Sequence, residues 1–167
     1  MNSNPNIKPE QFTNALLVLL DEAFEDVHGF FMDPHDTLFE TLTSVSAAEA
    51  SIPVGGKCAT LSAQVKHIAF YLDVYINTFH NPASSKMDWG EIWRTVNLVT
   101  PAEWQSIQDE LRTSYTRLRD FIKTSSFWQS HTDIADAFAV VSHTAYHLGE
   151  IRQALCSLRE HPPAHHR

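Results

Sequence analysis

The chain has 167 residues, 43% of them hydrophobic and 19% charged. That fits one globular domain with a full core and excludes a disordered chain. The formal net charge is -8 with only 12 Lys and Arg, which excludes a bare duplex-binding surface, because phosphate binding needs clustered basic residues, so no nucleic acid partner is expected.

The N-terminal run Met1-Asn2-Ser3-Asn4-Pro5 lacks a charged region followed by an apolar one, so no signal peptide is expected. The first helix opens near Pro9, since proline is tolerated in a first turn. Phe12, Leu16, Leu19, Leu20, Ala23 and Val27 recur at three- and four-residue spacings, and Gly29 supplies a stop signal. The longest apolar run of the chain, Ala15 to Leu20, is far too short to span a bilayer. Asp33-Pro34-His35-Asp36 reads as a turn, followed by a short helix with Leu38, Phe39, Leu42 and Val45. Ser46, with Glu49 three residues on, caps one more turn. Ile52-Pro53-Val54-Gly55-Gly56 then breaks the chain.

A second long helix runs from about Thr60 to Phe79, with Leu61, Val65, Ile68, Leu72, Tyr75, Ile76 and Phe79 as its apolar stripe. Asn81-Pro82 ends it, and Ala83 to Val99 form a loop that Trp89 and Trp93 pin to the helices. Thr100-Pro101-Ala102-Glu103 combines a capping threonine, proline at the first helical position and glutamate at the third. Trp104, Ile107, Leu111, Tyr115, Leu118 and Ile122 continue this third long helix to a break at Ser125-Ser126. The fourth runs from about Asp133 to Leu158, with Ile134, Phe138, Val141, Leu148, Ile151 and Leu155 inside. Four long amphipathic helices imply an all-α four-helix bundle with a short extra helix and a Trp-containing loop. A single domain covers residues 1–160, and residues 161–167 form a disordered tail. The two cysteines, Cys58 and Cys156, are too few for a disulfide framework, and reduced, cytoplasmic residence is the expectation.

His143 and His147 stand one turn apart on the fourth helix. Residues at i and i+4 lie on one face, and two imidazoles so placed can grip one metal ion. Both fall on the margin of the apolar stripe, and His67 falls on a matching margin of the second long helix, on the face of Tyr71. Rings from two helices can then meet at one mouth of the bundle. Three neutral imidazoles suit Zn²⁺ or Ni²⁺, with a position left for water or a substrate atom. Neither cysteine is placed to close such a site. Spacing alone leaves a plainer reading open: two polar residues on a half-exposed helix face, with His67 a hydrogen-bonded helix histidine. His28, His35, His80 and His131 fall at helix ends or turns and read as surface residues.

Other chemistries are set aside. Position 144 is threonine, so no glutamate base lies between the histidines as in a zincin. Gly55-Gly56-Lys57 lacks the upstream glycine of a P-loop, no serine sits in a nucleophile elbow, and paired Glu-x-x-His motifs are absent.

From about Leu17 to Leu158 the chain resembles the DinB-like superfamily, the DinB/YfiT group. Three segments carry the resemblance: Thr60 to Tyr71 around His67, the Asp88-Trp89 to Trp93 loop, and His143-Thr144-Ala145-Tyr146-His147-Leu148-Gly149-Glu150, similar to a closing His-x-x-x-His-x-Gly-Gln signature. The resemblance implies an up-down bundle, His67, His143 and His147 as a metal triad, nickel or zinc as the metal, and a homodimer. It implies activation of a small thiol for transfer or of water for hydrolysis, on a small-molecule substrate. The usual glutamine is Glu150 here. Tyr71 and Glu150 are the candidate proton handlers. The alternative function is a non-catalytic dimerising or ligand-binding module with a vestigial or structural metal site.

Overall fold

The computed structural model describes residues 7–54, 59–80, 87–124, 128 and 130–160. Among them lie helices α1 (Pro9–Phe24), α2 (Leu38–Thr43), α3 (Ala47–Ala50), α4 (Leu61–His80), α5 (Glu91–Thr95), α6 (Pro101–Thr124) and α7 (His131–Glu160). The protein is all-α, with only an isolated bridge between Pro53 and Thr60 among the described residues. None of these helices is long and apolar enough to cross a membrane.

Local chemistry explains most of the boundaries. Ahead of α6, the Thr100 hydroxyl accepts the Glu103 N–H at 3.3 Å while Glu103 Oε2 accepts the Thr100 N–H at 2.7 Å. Ser46 and Glu49 make the same exchange at α3. At α4, the Thr60 hydroxyl accepts the Ala63 N–H at 3.2 Å. α7 starts at His131, earlier than the expected Asp133, because Ser130 and Asp133 form a further reciprocal cap.

α1 ends at Phe24 and does not continue toward Gly29, so Val27 lies outside the helix. The cause is Glu22, a fully buried carboxylate. Its Oε1 accepts the N–H groups of Gly29 and Phe30 at 2.8 Å and of Phe31 and Met32 at 3.2 Å. A continuing helix directs its N–H groups along the axis to carbonyls four residues back and cannot aim four of them at one oxygen. The chain instead wraps around the carboxylate, and the wrap uses φ +82° at Gly29.

The expected loop between the second and third long helices contains α5. Asp88 Oδ1 accepts the Gly90 N–H at 2.9 Å just ahead of it, and Asp88 pairs with Arg94 across the short helix. The expected breaks at Gly55-Gly56, Asn81-Pro82 and Ser125-Ser126, the side chain of Phe79, and the 161–167 tail lie outside the described residues, as does Cys58.

α4 packs against α6 and α7, and α1 packs against the same two. Leu20 and Phe24 of α1, Ile68 and Leu72 of α4, Leu111 and Leu118 of α6, and Leu148 and Ile151 of α7 meet in the core. Phe24 stacks on Tyr115, centroids 4.3 Å apart. Phe138 is the exception on α7: expected inside, it is 49% exposed. The buried face of α7 runs through Ala137, Val140, Val141 and Thr144. Phe138 lies about 100° round from Ala137, and its ring instead meets Phe12 edge-on at 5.7 Å.

Candidate metal centre

Two helices build the centre. α4 supplies His67, and α7 supplies His143 and His147 at the i, i+4 spacing that stacks their rings along one face. The contact between α4 and α7 brings them together, with one nitrogen from each ring within 4.8 Å of the other two. Ring centroids are 5.1 Å apart for His67 and His143, 5.0 Å for His67 and His147, and 4.5 Å for His143 and His147. His67 and His147 are buried, at 8% and 7% exposure, and His143 is half-buried. His67 and His147 lie deeper than the stripe margin that helix periodicity indicates, and His143 stays half-buried as that margin implies.

The donor chemistry fits a cation. Burial, with the neighbouring His147 next in importance, pushes the His67 imidazolium down to about 4, and burial followed by the charges of His147 and His67 pushes His143 down to about 4. Both rings are therefore neutral at physiological pH, with a lone pair to give. Their Nε2 atoms face each other at 3.2 Å. Two nitrogen ligands about 2.0–2.1 Å from a tetrahedral ion stand about 3.3 Å apart, so this separation suits a shared ion. His147 is also lowered by burial, against the opposing hydrogen bond and charge of Glu150. Glu150 Oε2 lies 2.9 Å from His147 Nδ1. The carboxylate accepts the Nδ1–H, which leaves the Nε2 lone pair of His147 for the centre.

Tyr71, one helical turn after His67, lies flat on His143 with centroids 3.8 Å apart. Burial, then the charge of Asp136, holds its phenol above the ordinary range, so it stays protonated. Trp93 of α5 closes another side, 4.7 Å from the His67 ring and 6.5 Å from that of His147. Trp89 stands edge-on to His67 at 6.1 Å. The two tryptophans were expected to anchor a loop. They do so against the ligand rings themselves, which makes them walls of the centre.

Further buried polar atoms belong to residues close to these histidines in sequence. The Thr144 hydroxyl is fully buried between the two α7 histidines in sequence, and Gln64 lies one turn before His67. Thr144 Oγ1, Gln64 Oε1 and the Nδ1 atoms of His67 and His143 have no hydrogen-bond partner among the described residues.

The other histidines whose side chains are described stand apart, and the side chain of His80 lies outside the described residues. His28 Nε2 pairs with Asp21 at 2.7 Å, His35 Nδ1 pairs with Glu40 at 2.7 Å, and His131 is exposed at the start of α7. Cys156 is exposed and directed toward Glu160, so it does not join the centre. The His67, His143 and His147 group can hold a metal ion with no fourth protein ligand among the described residues. Comparison with family models, with curated proteins and with solved structures finds no match to this chain.

Proposed function

We propose that the chain is a metal-dependent enzyme of the DinB-like type, an up-down four-helix bundle that acts on a small molecule as a thiol S-transferase or a hydrolase. The observation that carries the reading is the convergence of three neutral imidazoles from two helices. The packing of α4 and of α1 against the same two partners supports the bundle. When bound, a nickel or zinc ion supplies Lewis acidity, lowering the pKa of a thiol or water at its open position.

The chain's own groups do the rest. His67, His143 and His147 present nitrogen lone pairs. Glu150 holds the His147 tautomer through Nδ1, which makes it a positioning residue in this reading. Tyr71 keeps its proton and offers an O–H at the edge of the centre, where it can donate to charge developing on a substrate. Trp89 and Trp93 exclude water from one side of the imidazoles.

The test begins with elemental analysis of untagged protein. The wild type is expected to carry about one divalent ion per chain, and His67→Ala, His143→Ala and His147→Ala to lose it while keeping their helical circular dichroism. Unchanged metal content in all three variants overturns the proposal. A panel of low-molecular-weight thiols against small electrophiles, run with and without added nickel or zinc, then identifies the reaction.

A further inference from the structure

Beside the metal centre lies a cavity of about 370 Å³, bounded by Tyr71 and Tyr75 of α4, by Trp89, and by Asp133 and Asp136 of α7. Its volume suits part of a small ligand. Aromatic rings and carboxylates dominate its lining, with Val74 and Thr78 beside them, and among the described residues no lysine or arginine lines it.

The rings are arranged as walls. Tyr71 and Trp89, both in the lining, have centroids 6.1 Å apart with planes inclined at 49°. Aromatic faces carry the negative end of the ring quadrupole and attract cations. Asp136 adds a full negative charge. It is exposed, and among the described residues no cation pairs with it. Its field reaches both tyrosines: burial first, then Asp136, raises the phenols of Tyr71 and Tyr75. Asp133 accepts the Ser130 N–H at 2.8 Å and so is engaged in capping α7.

Two walls of the cavity also touch the histidines. Tyr71 has one face on His143, and Trp89 stands beside the ring of His67. The cavity therefore lies directly beside the three histidines.

We propose that this cavity binds an alkylammonium group, so that the substrate of the metal centre is a small organic cation whose charged end sits between Tyr71, Tyr75 and Trp89 opposite Asp136. The term substrate rests on the function proposed above; the cation site itself does not. An anionic group would meet the Asp136 charge, and a neutral group would forgo the attraction of both carboxylate and rings.

The experiment uses choline and its neutral isostere 3,3-dimethyl-1-butanol, which share shape and differ in charge. Binding is followed by calorimetry and by tryptophan fluorescence. Choline is expected to bind saturably and about ten-fold tighter than the isostere. Asp136→Asn should reduce the preference to about two- to three-fold, and Trp89→Ala should weaken choline about ten-fold. Equal binding of the two probes to the wild type, or an unchanged preference in Asp136→Asn, overturns the inference. Repeating the titration on chelator-treated wild type separates the two ideas. Choline preference in a protein that takes up no metal keeps the cation site and removes the metal enzyme. Metal uptake without choline preference does the reverse.

Discussion

The phenol ring of Tyr71 lies against the imidazole of His143, 3.8 Å between centroids and 12° from parallel. The two residues come from different helices, so the stack fixes the rotation of one candidate ligand from across the α4–α7 seam. Tyr71→Ala should free that ring and weaken metal affinity about ten-fold, as loss of a supporting contact around a ligand does. Tyr71→Phe keeps the stack and should leave affinity unchanged while lowering turnover. Competition titration with a colorimetric chelator measures the first effect, and steady-state kinetics the second.

Glu150 separates two functions of a carboxylate. Its oxygen is an acceptor for His147 Nδ1–H, and its charge opposes the lowering of the His147 pKa. Glu150→Gln retains an acceptor and loses the charge. Glu150→Ala loses both. Metal affinity should fall about 10–100-fold in the alanine variant and by less in the glutamine variant. Equal losses in the two would mean that charge, not orientation, is what the ion responds to.

Acid should unfold this protein in part through Glu22. Burial raises the carboxyl, but hydrogen bonds from Met32, Phe31, Phe30 and Gly29 outweigh it and leave the folded value below the ordinary 4.5. The stabilisation is therefore full above pH 4.5. It is lost as pH falls through the folded value, because the unfolded chain takes up the proton first. Glu22→Gln should lose about 2–3 kcal/mol at pH 7, since four N–H donors lose a charged, buried acceptor. It should also lose less than the wild type between pH 5 and pH 3, about half a decade either side of the carboxylate range. Urea unfolding across that range reads both.

Trp104 donates its indole N–H to the carbonyl of Val45 at 2.8 Å, and both residues are buried. Trp104→Phe keeps most of the apolar contact and strands that carbonyl. The expected cost is about 1–2 kcal/mol in thermal or urea unfolding, with metal content untouched.

What the sequence revealed depended on the reach of the interaction. The start of α6 was plain because Thr100 and Glu103 are three residues apart and exchange hydrogen bonds with each other. The end of α1 was hidden because the partners of Glu22 lie seven to ten residues on, in a loop with no periodicity. α5 is only five residues long, too short for a periodic signal. Helix spacing put His143 and His147 on one face and His67 on a similar face. It could not show that the helices bury those faces against each other, since His67 and His143 are 76 positions apart. Phe138 failed for the opposite reason: an apolar residue in a periodic run says nothing of where the covering helix stops.

That separation of 76 positions also bears on folding. An ion gripped by His67 and His143 would need two distant points of the backbone brought together, as they are in the folded chain and not in the unfolded one. Loading and folding would then be one linked equilibrium, with the folded fraction rising as free ion rises. Metal supply in the surroundings would thereby set how much of the chain is folded.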